Sequence, residues 1–221
     1  MPDAPDSVLA AAPGRSRQNR GSEVVRAALL DAAIAEFAAK GFAGASGRRI
    51  AEAADAHQSQ INYHFSSTGE LWKAALLRLL DELDAAIDHE LSKVDVDDTA
   101  GVGAAMIRGL VFFAARRPEL NRIMMHEGAA PSERLAWFVD ERLRRRHADL
   151  IAAWTVLREA GVAADVDADV LYHSLIGSAS LLYANAPEAE LLGIEPADRD
   201  VVARHAESLI NLFLPGRSKE P

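Results

Sequence analysis

The chain has no cysteine among its 221 residues, so disulfide staples, thiolate nucleophiles and cysteine-ligated metals are excluded. Aromatic residues make up only 6%, and there are nine prolines and 14 glycines, too few for a collagen-like or Pro/Gly-rich disordered chain. Long hydrophobic runs are also missing. No apolar stretch approaches the ~20 residues that span a bilayer, and the opening "MPDAPDSVLAAAPGRSRQNRGS" carries acids and prolines where a signal peptide needs a basic flank. The expectation is a cytoplasmic protein with no membrane association. Alternating β-branched runs and the Asn-Gly or Asp-Gly pairs of tight hairpins are absent, which removes the usual signals of a sheet. G-x-S-x-G, phosphate-loop and H-E-x-x-H signatures are absent too. No catalytic residue, cofactor or metal is therefore expected. His57 and His64 stand seven apart with no carboxylate between them, which is not ligand spacing.

Positive charge is in deficit, with 24 Lys/Arg against 33 Asp/Glu and a net charge of −9. The deficit is uneven. Residues 1–72 hold seven basic and eight acidic side chains, whereas the rest hold 17 and 25. A near-neutral head on an acidic body is compatible with a polyanion meeting the head alone. Arg15, Arg17 and Arg20 cluster just ahead of the first helix.

What is present is helical periodicity. Residues 1–21 lack it and are expected to form a flexible arm. From Ser22, apolar residues recur every three to four positions (Val25, Leu29, Ala33, Phe37) until Gly41, a helix-stop residue. A short helix over 48–54, a turn at Asp55 and the segment "HQSQINYHF" (57–65) follow. Ser67 and Glu70 have capping-box spacing and open a long apolar stripe through Leu71, Ala75, Leu79 and Leu83. Pro118 ends a helix begun near Val102, and Ser132 caps a long helix running to Gly161. The fold class is all-α with about nine helices, divided into an arm (1–21), a head (22–66) and a body (67–221).

The segment 57–65 keeps Ile61 inward while Gln58, Ser59, Gln60 and Asn62 face outward. With Ala51 and Ala54 small enough for close helix approach, and Asp55 able to take a left-handed turn, the head reads as a helix-turn-helix. The stretch "LLDAAIAEFAAKGFAGASGRRIAEAADAHQSQINYHFSSTGELWKAAL" (29–76) resembles the DNA-binding domain of TetR-type (tetracycline-repressor-like) transcriptional regulators. The resemblance implies a homodimer that binds double-stranded operator DNA with its first three helices, and a divergent body that takes a small-molecule effector. It places Gln58, Ser59, Gln60 and Asn62 at base edges, where amides can pair bidentately with adenine. It places Arg48, Tyr63 and His64 at phosphates, which set register. Ala45, Gly47, Asp55, His57, Asn62 and Thr68 depart from the family pattern.

In the body, Phe112, Met124, Met125, Trp137, His147 and Trp154 gather adaptable apolar side chains and an imidazole on three consecutive helices. They are either plain core or the wall of an effector pocket. The basic cluster Arg142, Arg144, Arg145 and Arg146, beside Asp140, Glu141 and Asp149, reads as a solvated helix face. Small residues at 174–179 and the stripe Val202, Ala206, Leu209 and Phe213 are either internal core or a dimer seam. The leading expectation is a ligand-released repressor. The alternative is a helical small-molecule or lipid carrier of the same fold that has lost operator binding.

Overall fold

The computed structural model describes residues 14–218, and all regular structure within them is helical. Helix α1 spans Gly14–Gly44, α2 Gly47–Ala53, α3 Ser59–Phe65, α4 Thr68–Leu91, α5 Thr99–Arg116 and α6 Glu119–Glu127. Next come α7 (Glu133–Phe138) and α8 (Arg144–Glu159), then α9 (Ala168–Ala184), α10 (Ala186–Leu191) and α11 (Arg199–Phe213). A π-turn at Val139–Leu143 joins α7 and α8 into one rod. The expected arm is corrected in part. The backbone is already helical at Gly14 rather than from Ser22, while residues 1–13 lie outside the described residues.

Local chemistry sets the boundaries. Gly41 breaks α1 with φ 64, a conformation glycine adopts freely. Asp55 takes φ 50 and turns the chain between α2 and α3. Ser67 accepts the Glu70 amide at 3.1 Å, and Ser132 accepts that of Leu135 at 3.0 Å. Each satisfies a backbone donor orphaned at a helix start. Only half of the expected capping box forms, because the Glu70 carboxylate turns to Lys73 at 2.8 Å.

Helix α4 joins head and body. Its amino-terminal turns pack on α1 and α3, and most of its length packs on α5. At the joint Trp72 is fully buried. It meets the Phe42 ring of the head at 6.4 Å and the Trp137 and Phe138 rings of the body at 6.3 and 6.4 Å. Helix α5, 18 residues with mean hydropathy 1.2, is long and apolar enough by composition to cross a membrane, contrary to the sequence expectation. Half of it is buried inside the bundle, where α4, α8, α9 and α11 surround it. Its apolarity is that of a central core helix.

The π-turn corrects the phase of the long rod. At about 100° per residue, an unbroken α-helix would set Phe138 and Leu157 about 100° apart. The extra residue held by the i→i+5 turn brings both onto one side, and both are buried.

Helices α9 and α11 are tied by a polar link. His205 Nε2 donates to the Ser178 carbonyl at 3.0 Å, which leaves Nδ1 to accept the Tyr183 hydroxyl at 2.9 Å. Burial pushes the Tyr183 phenol up to about 12. Burial also holds His205 below its ordinary value, against the raising effect of the Ser178 carbonyl. A histidine with a lowered folded pKa contributes full stability above its unfolded value and loses it as pH falls toward the folded one. Thermal midpoints should therefore fall between about pH 7 and pH 5. That component should be missing from His205→Gln, and equal pH slopes in the two proteins would refute it.

Candidate nucleic-acid interface and effector cavity

Helix α3 presents one buried and one open face. Ile61 and Phe65 are buried against the head's core, and the Arg26 guanidinium lies 4.9 Å above the Phe65 ring. His57, Gln58, Ser59, Asn62 and Tyr63 are exposed, Tyr63 to 78%. Donors, acceptors and an aromatic hydroxyl thus stand together on a helix end, open to solvent among the described residues.

Two of the expected contact residues are partly engaged within the chain. The Gln60 side chain accepts the His57 amide at 3.3 Å and is half-buried, so it braces the start of α3. Arg48 lies in an exposed ion pair with Glu52 at 3.3 Å, a contact worth little in water and readily exchanged for a phosphate. His64 is half-buried, its ring set edge-on to Tyr63 at 4.9 Å.

The neighbouring Arg49 has a different task. Its guanidinium bonds Glu36 at 2.9 and 2.5 Å and the Gly44 carbonyl at 3.0 Å. Glu36 also accepts the Ser46 amide at 3.0 Å. The Arg49 hydrogen bond, aided by the Ser46 amide, holds the Glu36 carboxyl below its ordinary range. Arg49 is a clamp that fixes α2 on α1. Periodicity alone gave no sign of which member of the Arg48/Arg49 pair turns inward.

The body holds a cavity of about 1080 Å3, partly open to solvent, between α4, α5, α6, the α7–α8 rod and α9. Of the six expected effector contacts, Met124, Met125 and Trp154 lie on its wall. The other three do not. Trp137 packs in the Trp72 joint, with the Lys73 ammonium 4.9 Å above its ring. Phe112 lines a separate recess with Glu90 and Lys93. His147 is exposed, its ring 5.7 Å from that of Tyr172. Sequence reasoning missed Arg142, Tyr172 and Ile176, all on the cavity wall.

Helix α6 links the cavity, α9 and the head. Arg122 donates to the Ala184 and Tyr183 carbonyls at 2.9 and 3.3 Å, capping the end of α9. On its other side His126 packs on Gly41, where an added Cβ would lie 3.2 Å from the imidazole. After α6, Arg134 stacks 3.9 Å above Phe42 and pairs with the buried Glu127 at 3.0 Å. The Glu127 carboxylate also accepts the Ser132 hydroxyl.

Residues 29–75, spanning the end of α1 through the first turns of α4, match the family of bacterial regulatory proteins described as the tetR family. That stretch is therefore similar to the DNA-binding part of the family, over about a fifth of the chain. Over 109 residues the chain is 38% identical to the HTH-type transcriptional repressor SCO4008 of Streptomyces coelicolor. That match covers 49% of this chain and 52% of the relative, so the chain spans about half the length of the curated relative it matches. Two solved structures share the fold over most of this chain. One is AibR in complex with isovaleryl coenzyme A and operator DNA, at 20% identity and a TM-score of 0.60, covering 86% of this chain and 98% of that one. The other is the ketosteroid transcriptional regulator KstR2 of Mycobacterium tuberculosis, at 17% identity and a TM-score of 0.64, covering 86% and 94%.

Proposed function

We propose that the chain is a homodimeric DNA-binding transcriptional regulator, a repressor released from its operator by a small hydrophobic or amphipathic ligand. The observation that carries this reading is the open polar face of α3, where Gln58, Ser59, Asn62 and Tyr63 are exposed beside a tightly packed scaffold. A solvated face needs no such scaffold. Asn62 and Gln58 are the base readers in this scheme, Ser59 adds a hydroxyl, and Gln60 supports them by bracing α3. Arg48, Tyr63 and His64 hold phosphates.

The dimer seam in this reading differs from the stripe expected from sequence. Ala206, Leu209 and Phe213 are buried within the protomer, so they are its own core. The opposite faces are open. Val170, Gly177 and Leu181 align on α9, while Leu212, 63% exposed, ends a face of α11 that includes Arg204 and Ser208. A second copy of the chain covers these faces in a four-helix arrangement, and its small residues permit close approach.

Release works through α6. A ligand filling the cavity against Met124 moves a helix that holds α9 through Arg122 and touches the head at Gly41 through His126. Two recognition helices must be spaced ~34–36 Å apart, or a multiple of it, to enter successive major grooves. A ligand favouring another spacing lowers operator affinity, and operator lowers ligand affinity by the same factor.

Selection of genomic fragments by the purified protein tests the function. One palindromic site should emerge, and failure to enrich any sequence would favour the carrier alternative, which keeps the cavity and discards the DNA. On that site Asn62→Ala should cost ~1–3 kcal/mol at one operator position and relax the preference there. Arg48→Ala should weaken all sequences alike and reduce the salt slope by about one. Uniform loss in both variants, with sequence preference unchanged, would overturn the division of roles.

A further inference from the structure

The cavity's polar groups are unevenly satisfied. Trp154 is 4% exposed, lies on the cavity wall, and its indole Nε1 has no hydrogen-bond partner. That nitrogen is itself closed off, so Trp154 offers the cavity an apolar ring rather than a donor. Four arginines also reach the wall: Arg117, Arg142, Arg145 and Arg146. Arg117 pairs with Glu82 at 2.9 Å, Arg145 with Asp149 at 3.7 Å, and Arg146 with Asp84. Among the described residues Arg142 alone of the four has no ion pair.

Arg142 belongs to the π-turn Val139–Leu143, a helix defect that recurs at functional sites. It is half-buried, whereas the unpaired acids of the same wall, Asp81 and Glu141, are exposed. Water satisfies those carboxylates, while the half-buried Arg142 stands at an apolar wall without a counter-charge among the described residues. The rest of the wall is largely apolar, built from residues such as Ile107, Leu110, Phe113 and Leu175. Trp154 lies twelve positions beyond Arg142 on the same rod, which is roughly 18 Å at 1.5 Å per residue. A ligand that pairs with Arg142 and also packs on the Trp154 ring is therefore elongated.

We infer that the cavity takes an elongated apolar acid, whose anionic head pairs with Arg142 and whose body lies among the apolar side chains toward Trp154. This rests on the reading of the cavity as the effector site and narrows it to one chemical class. Tyr172, on the same wall, supports it. Burial raises its phenol above the ordinary range, which keeps the hydroxyl a neutral donor. A carboxylate head offers acceptors to Arg142 and Tyr172, and its apolar tail meets the Trp154 ring, while an amine offers none to the guanidinium.

The test uses the full chain and three probes with one tail: dodecanoic acid, 1-dodecanol and dodecylamine. Binding is measured by calorimetry, with tryptophan fluorescence as a second readout. Dodecanoate should bind at least about tenfold more tightly than the alcohol, as a charge-assisted hydrogen bond allows. The amine should bind no better than the alcohol. Arg142→Ala should reduce the acid to the alcohol's affinity and leave the alcohol unchanged, which also establishes that the variant's cavity is intact. Equal binding of acid and alcohol, preference for the amine, no binding of the acid, or an acid preference that survives Arg142→Ala would each overturn the inference. Operator release is scored separately. An acid that binds through Arg142 without releasing DNA keeps the ligand class and removes the repressor mechanism. Release by the amine or alcohol alone does the reverse.

Discussion

Leu181→Arg is expected to sediment as a monomer and to bind operator about 10²- to 10⁴-fold more weakly than the wild-type dimer, because one head then binds without the avidity of two. Leu181 is 49% exposed in the protomer, so an arginine there is solvated and leaves the single chain folded. In the proposed seam the same arginine is desolvated twice, once from each copy, and meets Gly177, Val170 and Leu212 rather than acids. An unpaired buried charge costs several kcal/mol. Leu209, by contrast, is 7% exposed in the protomer, so an arginine there would damage the fold itself. Sedimentation velocity on Leu181→Arg, with circular dichroism for the fold, decides it. A folded variant that remains dimeric would move the seam elsewhere.

Trp72→Ala is expected to cost about 3–5 kcal/mol of stability, as large aromatic truncations do, against a total of about 5–15 kcal/mol for a domain. Trp72 is fully buried at the one point where the head's Phe42 and the body's Trp137 and Phe138 meet the same ring. Removing it opens a cavity at the joint and leaves Arg134, stacked on Phe42 and 5.9 Å from the Trp72 ring, against empty space. Trp72→Phe should cost less, since it keeps a ring and removes an indole Nε1 that has no hydrogen-bond partner. Thermal unfolding measures both. A Trp72→Ala midpoint within a degree or two of wild type would mean the joint carries no energy.

Much of this architecture was legible because it follows from short-range rules. The Gly41 stop, the Asp55 turn, the Ser67 and Ser132 caps and the inward Ile61 are each specified by a residue and its near neighbours. The structure bears them out. The division of α3 was only partly legible, because whether Gln60 faces outward or back to the His57 amide depends on a rotamer, not on periodicity.

The cavity was the least legible part. Trp137 and Trp154 look alike in the sequence, yet one fills the head–body joint and the other lines the cavity. That difference comes from what each meets 17 positions apart along the rod, Trp72 for one and Phe213 for the other, which no hydrophobic count reveals. Arg142 did leave a trace in the chain. Arg144 has Asp140 four positions before it and Arg145 has Asp149 four positions after it. Arg142 has Phe138, Val139, Arg145 and Arg146 at its helical neighbour positions and no acid among them. Treating the four arginines as one solvated face averaged that difference away. The seam failed similarly: one amphipathic stripe on α11 was visible, but whether the partner was α5 or another copy was not.

The π-turn at Val139–Leu143 also separates two kinds of change open to this chain. A π-turn holds one residue more than the α-helix it interrupts. Losing a single codon within it returns the rod to regular winding and leaves Phe138 and Leu157 facing inward as before. Substitution elsewhere on the rod must answer to packing, but length at this point is free by one. What such a deletion removes is the outward step that carries Arg142 to the cavity wall. Relatives that differ here by a one-residue gap would keep the same scaffold and the same operator geometry while answering to a different chemical signal.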